Sequence, residues 1–181
     1  MSAKTSKIVV IYKSKYGSTK SYAEWISKDV GGDLFESSMV SVNDLQKYQV
    51  IVFGGSLHAV GINGVKLITD NFDLLKNKKI IVFGTGASPV REETVKHVYK
   101  HNFPNEIQEK IHFFLLRGAF NYCKLSFIDK MLMNALRLML KMKKADKLDE
   151  DSRGLLECFN KPVDWRDKKA IIPIVQCINE E

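Results

Sequence analysis

No apolar stretch in this 181-residue chain approaches the roughly 18 residues that a membrane-spanning helix needs. The amino-terminal run MSAKTSKIVVIYKSKYG has a basic start but a short apolar core, below the about 7–15 residues of a secretory signal. These two shortages predict a cytoplasmic protein. Cysteine is scarce as well. Cys123, Cys158 and Cys177 are far apart, odd in number and never in a CxxC, which excludes a disulfide framework and a thiolate zinc site and leaves reduced, partly buried thiols. His97 and His101 have the spacing of a zinc pair, but HVYKH has no glutamate after its first histidine and no third ligand is evident; they read as a solvated helix face, with no metal. The phosphate-binding strings of common nucleotide folds are missing. GxxxxGK[ST] does not occur. GTGASP (84–89) follows a late strand, and Pro89 stands where a dinucleotide fingerprint needs its last glycine. A receiver domain is excluded too, because lysines and serines replace the carboxylates expected near its first strand.

What is present is a set of apolar runs. KIVVIY (7–12), YQVIVFGGS (48–56), KKIIVFGTG (78–86) and IHFFLLRGA (111–119) are near-continuous rather than alternating, the pattern of strands buried on both faces. DLFES (33–37) is a weaker fifth strand. Ala23, Ile26 and Val30 mark a helix from Thr19 that Gly31 and Gly32 end. Val65, Ile68, Phe72 and Leu75 mark the buried face of another. A last helix is expected from Asp164, its N-cap, through Ile171, Ile174 and Ile178, with Pro173 kinking it. Strands alternating with amphipathic helices predict an α/β fold, a doubly wound five-stranded parallel sheet with helices on both faces. With 45% hydrophobic and 27% charged residues, the chain reads as one domain over 1–181, including an insertion or extension at 119–160.

YKSKYGST (12–19) lies at the turn from the first strand into the first helix. Backbone N–H groups at a helix start are unpaired and favour anions. Ser14, Ser18 and Thr19 add hydroxyls there, and Gly17 permits close approach. Spacing alone leaves two readings, a phosphate site and an ordinary capping turn. IYKSKYGSTKSYAEWI resembles the FMN-phosphate loop and first helix of the flavodoxin family. VIVFGGSLHAVGI (50–62) resembles that family's third strand and flavin-flanking loop, and IIVFGTGASP (80–89) its fourth strand and second flavin loop, in the same order. The resemblance spans residues 5 to 120. It implies strand order 2-1-3-4-5 and FMN as cofactor. The phosphate would be held by Ser14, Lys15, Tyr16, Gly17, Ser18 and Thr19. The ring would be flanked by Ser56, Leu57, His58, Ala59 and Val60 and by Thr85, Gly86, Ala87 and Ser88. His58 either hydrogen-bonds flavin or substrate or is simply exposed, and no catalytic residue is assigned. Residues 56–62 and 84–91 contain no Phe, Tyr or Trp, which departs from flavodoxins that stack aromatics on the ring. The chain is also basic where those carriers are acidic.

The basicity is local. KLSFIDKMLMNALRLMLKMKKADK (124–147) sets seven cations against Asp129 and Asp146, so it holds +5 of the net +7. Lys130, Asn134, Arg137, Lys141 and Lys144 form one polar stripe on a helix whose remaining surface is largely Ile, Leu and Met. Two readings stand: a core helix with a solvated basic edge, or a surface that meets lipid, a quinone or a hydrophobic dianion. Anionic membranes attract such helices by roughly 1 kcal/mol per cation. Nucleic acid is excluded as a partner, because the cations interleave with aliphatics rather than stacking aromatics. RGAFNYCKLSFIDKMLMNALRLMLKMKK, followed by KPVDW (161–165), resembles the end of the menaquinone-dependent protoporphyrinogen oxidase family of flavodoxin-like FMN enzymes. That resemblance implies an enzyme that oxidises protoporphyrinogen and passes electrons to a quinone, peripheral at the inner face of the membrane. The alternatives are a flavodoxin-type electron carrier that docks a redox protein, with no small-molecule substrate, and a scaffold without flavin.

Overall fold

The computed structural model describes residues 7–142 and 150–180. Lys143, Lys144, Asp146 and Lys147, part of the basic segment, lie outside the described residues. Strands β1 (Ile8–Lys13), β2 (Asp33–Glu36) and β3 (Val50–His58) are separated by helix α1 (Ser18–Val30) and two 3-10 turns. A two-residue strand β4 (Gly61–Ile62) and the single-turn helices α2 (Lys66–Thr69) and α3 (Phe72–Leu75) precede β5 (Lys79–Gly86). Helices α4 (Glu92–Asn102) and α5 (Asn105–Gln108) lead to β6 (Ile111–Arg117). The five long strands are all parallel, in the order β2-β1-β3-β5-β6. This is the expected 2-1-3-4-5 order; β4 only adds a short antiparallel hairpin to β3.

The continuous apolar runs are explained by two cores, one on each face of the sheet. Val9, Ile11, Ile51, Phe53, Ile80 and Val82 point to one face and pack with Ile68, Phe72, Leu75, Val98, Phe103 and Ile107 from α2 to α5. Val10, Val52, Ile81 and Phe83 point to the other and pack with Tyr22, Ala23 and Ile26 of α1 and with Ile171, Ile174 and Ile178 near the carboxyl end. Each such side chain contributes about 1.5–3 kcal/mol by leaving water, so neither face tolerates a polar residue in the run. The packing is close enough that a Cβ on Gly54 would overlap the Phe83 ring. Cys158 and Cys177 are buried thiols and Cys123 is exposed.

Two helix expectations are corrected. Val65, Ile68, Phe72 and Leu75 are buried as predicted, but on two separate turns. Asn71 breaks the helix: its side-chain amide donates to the Leu67 carbonyl at 3.0 Å, the group that the next helical N–H would have used. The last helix does not start near Asp164. Asp164 belongs to a two-residue strand, β8 (Val163–Asp164), paired antiparallel with β7 (Ala119–Phe120), and its carboxylate holds Arg166. Asp167 instead accepts from Lys169 N at 2.8 Å and caps a 3-10 turn. Helix α8 (Ile172–Asn179) follows, with Pro173 in its first turn, where a missing N–H costs nothing.

Between β7 and β8 lie α6 (Phe127–Met142) and α7 (Glu150–Cys158). In α6 the sequence pattern is turned inside out. Asp129 and Leu140 are its buried residues, and Lys130 and Arg137 of the polar stripe are half-buried, the Arg137 guanidinium lying 5.0 Å from the Phe159 ring centre. Phe127, Ile128, Met131, Leu138, Met139 and Met142 are exposed. A core helix does not describe it; of the polar stripe, Asn134 and Lys141 are exposed.

Candidate functional site

Parallel strands deliver their carboxyl ends to one edge of the sheet, and ligands of open α/β sheets bind there. The loops after β1, β3 and β5 meet at that edge around a cavity of about 400 Å³. Ser14, Tyr16, Ser18 and Thr19 line it from the first loop, Ser56, Leu57, His58 and Ala59 from the second, and Thr85, Gly86 and Ala87 from the third. Four of the predicted residues sit elsewhere. Lys15 lines the adjoining open groove. Gly17 is the left-handed N-cap of α1, at φ 95°. Val60 turns away toward the core that holds Ile51 and Phe53. Ser88 faces a neighbouring cleft with Arg117 and Trp165.

The first loop is organised for an anion. Ser14 Oγ accepts from Gly17 N at 3.0 Å, and Ser18 Oγ accepts from Ala119 N at 2.9 Å. Both hydroxyls therefore keep their own protons to donate. The first N–H groups of α1 have no partner within the helix, and its first turn carries no acidic residue. Thr19 is committed differently: its buried hydroxyl meets that of Thr85 at 2.6 Å and ties the first loop to the third.

The second loop is a two-residue hairpin turn, Ala59–Val60, between β3 and β4. Ala59 adopts φ 52°, a conformation that primed hairpin turns usually give to glycine and that costs a side-chain-bearing residue roughly 1–2 kcal/mol. Asn102 holds the turn in place. Its amide donates to Val60 O at 2.7 Å and its carbonyl accepts from Ile62 N at 2.7 Å. His58 is exposed at the rim, facing both the cavity and the groove.

The third loop is braced from the carboxyl-terminal part of the chain. Arg117 Nε donates to Ala87 O at 3.2 Å, and its guanidinium lies 3.8 Å over the Trp165 ring. Gly118 N donates to Gly86 O at 2.7 Å. Trp165 thus acts through Arg117 on loop position, while Asp164 holds Arg166, which donates to Ser21 Oγ of α1 at 2.7 Å. Sequence reasoning missed Arg117 and Gly118, because an arginine at a strand end carries no local signal of what it will brace.

The remaining wall is α6. Leu132, Met133, Leu136 and Asp129 line the cavity together with Leu125 and Phe120. In the sequence Asp129 is merely one of two acids in a basic stretch; the fold carries it to the anion loop. Its Oδ2 lies 2.7 Å from Lys15 Nζ and accepts a hydrogen bond from Tyr16 OH. The Lys15 ammonium, then the Tyr16 hydroxyl, hold the Asp129 carboxyl below its ordinary value. The same contact with Asp129 raises Lys15.

A family model described as a flavodoxin domain matches residues 9–147. No curated protein matches the chain. Among solved structures, the Trp repressor binding protein of Bacillus subtilis is 14% identical, with a TM-score of 0.44 over 61% of this chain and 84% of that one. Two-electron reduced Megasphaera elsdenii flavodoxin is 19% identical, with a TM-score of 0.41 over 60% and 84%. A flavodoxin from the domain Archaea is 15% identical, with a TM-score of 0.43 over 96% and 99%.

The depressed Asp129 value has a definite sign. A carboxyl lowered by folding stabilises the folded state above its unfolded value of about 3.9 and loses that contribution as the pH falls through the folded value. An NMR titration of the Asp129 carboxyl is expected to place its midpoint below that of an ordinary aspartate, and Lys15→Gln to move it back up. A midpoint at or above the ordinary value would mean that the contact is not made in solution.

Proposed function

Because the chain belongs to the flavodoxin-domain family, we propose that it is an FMN-dependent oxidoreductase that delivers reducing equivalents to a quinone. The observation that carries this reading is the convergence of the three loops on one cavity walled by an apolar helix. The cavity is of small-molecule size, within the about 300–1,000 Å³ of such sites. Its lining suits a phosphate joined to a flat apolar ring, because it combines the hydroxyls of Ser14 and Ser18 at a helix start with the side chains of Leu57, Leu132, Met133 and Leu136. Ser14, Ser18 and the first N–H groups of α1 would hold the phosphate. Residues 56–59 and 85–87 would flank the ring, with Arg117 and Thr19 fixing the third loop against it. Bound FMN supplies reversible electron and hydride chemistry that no side chain here can perform.

The donor we favour is an amphipathic molecule of the protoporphyrinogen kind, and the acceptor a quinone of the menaquinone kind. The apolar helix beside the cavity supports both choices. The flavodoxin-type carrier is the alternative; the absence of Phe, Tyr and Trp from 56–62 and 84–91 speaks against it. An aromatic stacked on an electron-rich reduced ring disfavours the reduced state, and none is available from those loops. Purified protein is expected to bind FMN and not FAD. Ser14→Ala combined with Ser18→Ala should weaken FMN binding by about 2–3 kcal/mol, from the loss of two charge-assisted hydrogen bonds. Stopped-flow mixing of the reduced protein with a menaquinone analogue should reoxidise it. An unaltered FMN affinity would remove the phosphate assignment. A reduced protein that ignores the quinone but reduces a redox protein would establish the carrier.

We further propose that 124–147 rests on an anionic bilayer. No helix among the described residues is long and apolar enough to cross a membrane. Ile128, Met131, Ala135, Leu138 and Met142 nevertheless step by three and four along the exposed side of α6, with Met142 78% exposed. Lys124 and Lys141 flank that stripe, and both are exposed. An apolar stripe between cations suits the interface of an anionic membrane. Changing Ile128, Met131, Leu138 and Met142 to Gln is expected to release the protein from anionic vesicles in flotation at low salt, with flavin retained. A wild-type protein that ignores such vesicles and instead dimerises through this stripe would contradict the bilayer.

A further inference from the structure

A carboxylate at an anion loop needs a reason. Asp129 belongs to the first turn of α6, yet it reaches Lys15 and Tyr16, which precede it by more than a hundred residues. Tyr16 OH, while donating to Asp129, also accepts from Ser126 N at 3.0 Å. Asp129 N in turn donates to Ser126 Oγ at 3.3 Å. The phenol is thus inserted between the start of α6 and that helix's own carboxylate. Asp129 is 9% exposed and lines the same cavity as Ser14, Ser18 and Thr19. Its second oxygen, Oδ1, is buried and has no hydrogen-bond partner among the described residues.

These contacts make a clasp that holds without being tight. One carboxylate oxygen is fully used, and the other is removed from water with nothing in exchange, a cost set against the clasp. The Lys15 side chain is 41% exposed, so solvent screens its ion pair. Beyond the clasp α6 is held by buried Leu140, by the hydrogen bond from Tyr122 OH to Asn134 Oδ1 at 2.9 Å and by Arg137 over the Phe159 ring, all but the Asn134 bond in its carboxyl-terminal half. A phosphate monoester carries up to two negative charges and three acceptor oxygens. Held by Ser14, Ser18 and the start of α1, it would enter the cavity that the Asp129 carboxylate also lines, on the loop whose Lys15 and Tyr16 hold that carboxylate. Two anions so close repel each other, and the phosphate draws on the Lys15 charge that stabilises Asp129.

We propose that Asp129 is an internal anion that clasps α6 over the cavity, and that the phosphate of an entering flavin displaces it and frees the amino-terminal half of the helix. The proposal rests on the FMN reading above for the identity of the displacing group. The clasp itself rests only on the contacts of Asp129, Lys15, Tyr16 and Ser126. Its consequence is coupling: loading of the phosphate loop loosens the apolar helix that walls the cavity.

The test uses wild type, Asp129→Asn and Tyr16→Phe, which reach the same contact from its two sides. Hydrogen exchange of the ligand-free proteins is read first. Both variants are expected to exchange the amides of residues 127–134 about tenfold faster than wild type. Adding FMN to wild type should protect 14–19 and, at the same time, speed exchange in 127–134. In fluorescence titration Asp129→Asn should bind FMN about tenfold more tightly, equivalent to about 1.4 kcal/mol, while riboflavin, which lacks the phosphate, binds as to wild type. Unchanged exchange in both ligand-free variants overturns the clasp, whatever flavin does. Weaker FMN binding by Asp129→Asn, or protection of 127–134 by FMN, overturns displacement and makes Asp129 a cofactor-positioning residue. Faster exchange in the variants with no flavin binding in any protein upholds the clasp and overturns the FMN reading and the displacement that rests on it.

Discussion

Burial of a parallel sheet on both faces is the constraint from which the rest of this molecule follows. The central strands can carry no functional side chains along their length, because Val9, Val10, Ile51, Val52, Ile80 and Ile81 are all committed to one core or the other. Chemistry is left to the strand ends. Since all five long strands run the same way, their carboxyl ends open on one edge. The loops there inherit a rigid frame, and hydrogen bonds lock them to one another. Thr19 to Thr85, Gly118 to Gly86 and Arg117 to Ala87 join chain segments far apart in sequence into one rim.

Helix α6 adds something the sheet does not require. A surface helix normally turns its apolar stripe inward. Here the inward side carries Asp129, Lys130 and Arg137 as well as Met133 and Leu140, Leu132 and Leu136 face the cavity, and Phe127, Ile128, Met131, Leu138, Met139 and Met142 are exposed. Two of the inward charges have local partners. Asp129 takes Lys15 and Tyr16, and Arg137 lies over Phe159. An inverted helix gains little from packing against its own domain. Its exposed face is consistent with work at a second surface, and its weak attachment with a part that moves.

Much of this was legible in the residues. Near-continuous Val, Ile and Phe runs identify strands buried on both faces, and the hydroxyl-rich loop at 14–19, with its counterparts at 56–59 and 85–87, identifies the rim. Legibility failed where a side chain competes with the backbone or acts across the fold. Asn71 splits a predicted helix by taking the Leu67 carbonyl. Asp167, three residues beyond the expected cap, starts the last turn because Asp164 is engaged by Arg166 and by strand pairing. Val60 and Ser88 match the loops in sequence but face other surroundings, Val60 packing on the core from the hairpin turn and Ser88 lying in the bend beyond β5 beside Arg117 and Trp165. Asp129 is the clearest case. Its neighbours in sequence are basic and apolar, and its role depends on two residues more than a hundred positions away.

The central claim is that the edge formed by the three loops and α6 is one flavin site. The most direct measurement is an amide NMR titration of the protein with FMN. The account predicts shifts concentrated at Gly17, Ser18 and Thr19, at 56–59, at 85–87, at Gly118 and Ala119, and in the first half of α6, with the opposite face of the sheet silent. Saturable shifts confined to another surface, or a protein that binds FMN with α6 and residues 14–19 unperturbed, would contradict it.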